Sequence, residues 1–131
     1  MGPVRTLDRR IAAAVLALTA AVLFTSPLAA RSTAGALPDV ALAELPPEAR
    51  DTYALIVKGG PFRYDRDGVA FGNRENILPP ARRGYYHEYT VPTPGAKSRG
   101  ARRIVCGGPK TAPEACYYTG DHYQSFRRIR V

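Results

Sequence analysis

Apolar residues in "LPPEARDTYALIVKGGPF" recur at three- and four-residue steps, placing Ala49, Tyr53, Ile56 and Val57 on one face of a helix. Pro46 and Pro47 suit the start, where no backbone donor is needed, and Glu48 and Asp51 favour the positive end of the dipole. Lys58, Gly59, Gly60 and Pro61 stop it. The period then changes to two. "GVAFGN", "YYHEYTV", "ARRIVC" and "CYYTG" are short runs of aromatic and β-branched residues, punctuated by "LPPARRG" and "VPTPGAKSRG". One helix followed by a run of strands predicts an α+β fold: one N-terminal helix packed on a small twisted antiparallel β-sheet.

The alternation also sorts the polar residues by face. Tyr86, Glu88 and Thr90 share one parity, and Tyr85, His87, Tyr89 and Val91 share the other. In "RGARRIV", Arg99, Ala101 and Arg103 have one parity and Arg102 and Ile104 the opposite. If the Glu88 face meets the Arg103 face in neighbouring strands, a carboxylate lies among guanidiniums. His87 falls on the face away from Glu88 and reads as structural. The second histidine, His122, follows the last aromatic strand in "YYTGDHYQSF".

The first residues have a different texture. Arg5, Arg9 and Arg10 precede an uncharged, mostly apolar run from Ile11 to Phe24, and small residues follow at Ala29–Ala30 and Ala34–Ala36. That is the layout of a secretory signal peptide. Its 14 residues fall short of the ~20 that a membrane-spanning helix needs. The expectation is a leader over 1–36, cleaved after Ala30 or Ala36, and a secreted, monomeric domain over 37–131 with no membrane attachment. An uncleaved anchor or a core helix is the alternative.

The chain carries a net charge of +8, and from Leu37 onward 15 lysines and arginines face 10 acids, a balance of +5. Such a surface suits nucleic acid, anionic lipid or plain solubility. Export permits a disulfide, and Cys106 and Cys116 flank the turn-rich "GGPKTAPEA", where a staple would contribute about 2.5–3 kcal/mol. Two cysteines without CxxC spacing and with no histidine pair nearby make a poor zinc site. No metal and no cofactor is expected. Walker-type loops, GxSxG and paired glycosidase-like carboxylates do not occur.

If His122 reaches the Glu88 face, one carboxylate, one imidazole and one or two arginines share a site. That set fits metal-free transesterification of a phosphodiester: a base takes a proton from the attacking hydroxyl, and an acid protonates the leaving oxygen. Arginines stabilise the charge gathering on phosphoryl oxygens, and RNA supplies the nucleophile in its own 2′-hydroxyl. The residues alone leave plainer readings open. Glu88 also reads as a structural ion pair, His122 as a loop cap and "RGARR" as a solvated basic edge. The whole then reads as a non-catalytic cationic module for RNA or anionic surfaces.

Four segments change that balance. "LPPEARDT", "GPFRYDRDGVAFGNRENILP", "GYYHEYTVPTPGAKSRGARRIV" and "YYTGDHYQSF", in this order, resemble the secreted guanyl-specific ribonucleases of actinomycetes, in the microbial ribonuclease family that includes barnase. The likeness covers about 85 residues, from Leu45 to roughly Arg128. It implies a metal-independent endoribonuclease cutting single-stranded RNA after guanosine. Glu88 would be the general base, His122 the general acid, and Arg99 and Arg103 the phosphate ligands, with Tyr123 adding a contact. The product would be a 2′,3′-cyclic phosphate, later hydrolysed to the 3′-phosphate.

The resemblance also implies a base-reading loop, "FGNRE". Glu75 would accept from guanine N1–H and its exocyclic amine, the Asn73 and Arg74 amides would meet O6, and Phe71 or a nearby tyrosine would stack on the ring. A carboxylate facing two parallel donors selects guanine, because adenine lacks that pair. A small acidic intracellular inhibitor protein is implied as well. Two features depart from the family pattern. Relatives often join the chain ends by a disulfide, whereas both cysteines here lie in the late hairpin. Gly72 also stands where a larger polar residue is expected, which predicts kept specificity with looser affinity.

Overall fold

The computed structural model describes residues 36–131 continuously, with isolated positions at 2, 17, 20 and 21. The expected leader lies outside the described residues apart from those positions and Ala36, and the cleavage point at Ala30 lies outside them. Strand β1 (Asp39–Ala41) and a 3₁₀ turn (Leu42–Glu44) lead into helix α1 (Pro47–Lys58). Strands β2 (Val69–Ala70), β3 (Tyr86–Thr90), β4 (Arg103–Gly107), β5 (Ala115–Thr119) and β6 (Arg127–Arg130) follow.

Helix α1 begins where its prolines place it. It ends at Gly59, whose φ of 91° lets its N–H bond to Leu55 and Ile56 O, with Gly60 N–H also on Leu55 O. The helix buries Ala49, Thr52 and Ile56, with Tyr53 packed beside them. Val57 does not join that face: it is 47% exposed. Thr52, one step round from Ala49, is buried instead, and its hydroxyl donates to Thr90 O at 3.2 Å, tying helix to sheet.

The six strands form one sheet in the order β1-β6-β5-β4-β3-β2. Its pairs are antiparallel, as expected, except β1–β6 at one edge, which is parallel. Alternation divides the core in two. Tyr89, Val91, Ile104, Tyr118 and Ile129 pack with α1, while Leu78, Tyr86, Val105, Tyr117 and Phe126 pack on the other face. Cys106 and Cys116 pair in register across β4 and β5 and are bonded, S–S 2.05 Å, on the helix side. His87, opposite Cys106, is only partly buried, and burial together with the Lys110 charge pushes its pKa down. The second face is left free of the helix, and the site is built there.

Candidate active site

Glu88 sits in the middle of β3, opposite Val69 of β2 and Val105 of β4, and is 5% exposed. A carboxylate that far from water needs partners, and it has three. Its Oε1 lies 3.4 Å from Arg99 Nη2 and 3.6 Å from Arg66 Nε. Its Oε2 accepts from the Tyr123 hydroxyl at 3.0 Å. Burial, then the Glu88 charge, raise the Tyr123 pKa, so the phenol keeps its proton and remains a donor.

Arg103 begins β4 opposite Thr90, on the Glu88 face as parity requires. Its Nη1 donates to Arg102 O at 2.7 Å and its Nε to the Tyr123 hydroxyl at 3.2 Å. It is 2% exposed, yet no carboxylate lies within ion-pair distance among the described residues. A buried guanidinium of this kind favours an incoming anion. Arg99 reaches the same place from the preceding loop, anchored by Nε to the Thr90 hydroxyl at 2.9 Å. Tyr123 thus bridges a buried carboxylate and a buried guanidinium.

His122 follows β5 in a turn organised by Asp121. The Thr119 hydroxyl donates to Asp121 Oδ1 at 2.8 Å, and the Ser125 N–H does so at 2.9 Å. The Ser125 hydroxyl bonds the other carboxylate oxygen. These bonds, Ser125's first, lower the Asp121 pKa to about 2. His122 and Tyr123 are both left-handed, φ 56° and 72°, a conformation non-glycine residues adopt where surroundings impose it. The His122 N–H donates to Ala101 O at 2.9 Å, and its ring lies 4.9 Å from that of Tyr123. His122 is exposed.

The loop after β2 forms the other wall. Asn73, at φ 48°, spends its side chain on the loop: Nδ2 donates to Leu78 O at 3.0 Å and Oδ1 accepts from Leu78 N–H at 3.1 Å. What it can offer a ligand is therefore its backbone. Phe71 stacks on Tyr123, centroids 5.0 Å apart, which joins this loop to the Glu88 cluster. Glu75 and Arg74 are exposed, and Glu75 has no ion pair among the described residues. Gly72 lies against Arg74 without a left-handed φ. Phe71, Gly72, Asn73, Arg74, Glu75, Tyr86, Glu88, Tyr123 and Phe126 line a cleft of about 910 Å³.

Of the predicted residues, Phe71, Asn73, Arg74, Glu75, Glu88 and Tyr123 line the cleft; Arg99 reaches it through Glu88, Arg103 through the Tyr123 hydroxyl, and His122 lies beside the Tyr123 ring without lining it. Arg66 was missed. The Asp67 carboxylate accepts from Thr90 N–H at 2.7 Å and from Tyr64 N–H at 3.3 Å, pinning the loop beside β3 and setting Arg66 over Glu88. Nothing local in "RYDRDG" distinguishes Arg66 from any solvated arginine; only the long-range bond from Asp67 to Thr90 does.

A ribonuclease family model matches residues 28–130. The chain belongs to the ribonuclease family. It is 58% identical over 90 residues to guanyl-specific ribonuclease Sa of Kitasatospora aureofaciens, covering 69% of this chain and 91% of that protein. Guanyl-specific ribonuclease St of Saccharopolyspora erythraea is 59% identical over 88 residues, 67% of this chain and 83% of its own. Ribonuclease Sa3 of K. aureofaciens is 45% identical over 139 residues and spans 95% of this chain and 96% of its own. Among solved structures, ribonuclease Sa2 with guanosine-2′-cyclophosphate superposes with a TM-score of 0.66 at 52% identity, covering 72% of this chain and 97% of that one.

Proposed function

We infer that this ribonuclease cuts single-stranded RNA after guanosine. The observation that carries the reading is the buried Glu88 carboxylate held under Arg99, Arg66 and the Tyr123 hydroxyl, in the same cleft as the Phe71–Glu75 loop. Guanine enters between loop and phenol. Glu75 accepts from N1–H and the amine, the Asn73 and Arg74 amides reach O6, and Phe71 or Tyr123 stacks on the ring. The 3′-phosphate then lies over Arg99 and Arg103, with Arg66 at its open side.

Glu88 takes the 2′-hydroxyl proton as O2′ bonds to phosphorus, and the bond from phosphorus to O5′ breaks as His122 gives that oxygen a proton. The guanidiniums meet the charge on the equatorial oxygens as it develops. Glu88 now holds a proton and His122 lacks one. The same pair therefore runs the reverse exchange with water, opening the 2′,3′-cyclic phosphate to a 3′-phosphate. The domain acts as a secreted monomer after loss of the 1–36 leader, and a small acidic protein inhibits it inside the producing cell. The basic, small-residue-flanked sequence before Leu37 supports the leader, and the cationic cleft supports the acidic partner.

Incubation with GpC, ApC and UpC in EDTA tests the reading. Cleavage of GpC alone, through a cyclic intermediate, is expected. Equal cutting of all three removes Glu75 from base reading, a need for metal removes the mechanism, and RNA retardation without cutting returns the chain to a binding module.

A further inference from the structure

The cleft does not end at the guanine loop. At about 910 Å³ it lies near the top of the range for pockets that enclose a small ligand, so room remains beyond one base. Its far wall is Ala81–Gly84, which carries Arg82 and Arg83, both exposed and neither in an ion pair among the described residues. This wall is built rather than loose. Tyr85 N–H closes a turn on Arg82 O at 3.1 Å, and Gly84 at φ 83° takes the third position that such a turn reserves for glycine. Just upstream, the Tyr86 hydroxyl donates to Pro79 O at 2.6 Å, and burial pushes its pKa up to about 12.

Strand β3 gives the direction. Glu88 lies at the catalytic end of the cleft, Phe71 N–H bonds Tyr86 O where the base loop departs, and Gly84 lies beyond. Gly84 and Glu88 are four positions apart along extended chain, roughly 13 Å, which one extended nucleotide and an arginine side chain span together. The leaving 5′-oxygen departs past His122, so the RNA on the 5′ side of the guanosine runs the other way. We propose that Arg82 and Arg83 form a subsite for the phosphodiester on the 5′ side of the recognised guanosine. The proposal rests on the ribonuclease reading above, and it makes the enzyme prefer a guanosine inside a chain to one at a 5′ end.

Two measurements test it. Calorimetry compares guanosine 3′-monophosphate with guanosine 3′,5′-bisphosphate, and kinetics compares GpC with ApGpC for cleavage after G, both at low salt. The wild type should bind the bisphosphate, and cut ApGpC, about three- to tenfold better. In Arg82→Ala/Arg83→Ala both ratios should fall towards one, and Arg82→Lys/Arg83→Lys should restore most of them, since a point charge still attracts phosphate. Binding of the monophosphate serves as the check that the variants are folded. Ratios near one in the wild type, ratios that survive in the alanine variant, or a gain for the bisphosphate without one for ApGpC each overturn the proposal. Wild-type failure to cut GpC would sink the ribonuclease reading and the subsite together, whereas GpC cleavage with no gain for ApGpC sinks the subsite alone.

Discussion

Tyr123 donates to Glu88 and accepts from Arg103, so deleting its hydroxyl strips one hydrogen bond from the proposed base and one from the proposed phosphate ligand. Tyr123→Phe should lower kcat/KM on GpC about 5- to 30-fold, the worth of one or two such bonds, read in single-turnover assays. Glu88→Gln should cost about 10²–10⁴-fold in kcat, the usual share of a general base. His122→Ala should lower kcat on GpC about 10²–10⁴-fold, the usual share of a general acid, and an unchanged kcat would remove His122 from the acid role. Asp121 titrates on its own account. Its folded pKa of about 2 is below the value for an unfolded chain, so its contribution is present above about pH 4 and lost as pH falls through 2. Asp121→Asn should therefore melt earlier than wild type at pH 7, with the gap narrowing in acid melts. Parity alone separated His87 from Glu88, because a strand's period is two. Arg66 stayed illegible because its place depends on Asp67 bonding a backbone amide 23 residues away.

At the level of elements, the sequence was clearest where one signal dominated. Prolines and glycines bounded α1, and the aromatic alternation of β3 and β5 was unmistakable. Val57 was placed on the buried face but is exposed, and Thr52 was left off that face because a threonine counts as polar in a periodicity, although its hydroxyl finds Thr90 O. Strands β1 and β6 were missed for a different reason. Three of the four β6 residues are arginines, and only Ile129 is buried; the strand exists because β5 on one side and β1 on the other complete its hydrogen bonds. The disulfide lies on the helix side of the sheet, away from the cleft. Cys106→Ala/Cys116→Ala should thus lose about 2–3 kcal/mol, lowering Tm by roughly 10–20 °C, while GpC turnover well below that Tm persists. Thermal melts and assays on one preparation separate the two effects.

Over the whole molecule, the balance of +5 from Leu37 onward and the guanidiniums of the cleft make long RNA a salt-sensitive substrate. The log of kcat/KM should fall with log salt by about 0.7 for each phosphate neutralised, more steeply for RNA than for GpC. A titration of both substrates from low to high salt reads the difference. Arg103 carries this logic into handling. It is buried without a carboxylate partner among the described residues, so the fold encloses a charge that an anion, such as the phosphate of the proposed substrate, would neutralise. Any small oxyanion in the medium can take that place. Inorganic phosphate at ten times its Kd would stabilise the protein by about 1.4 kcal/mol and, by the same occupancy, compete with RNA. A phosphate buffer would make this enzyme look sturdier and slower than it is, so its shelf life and its turnover belong to different buffers.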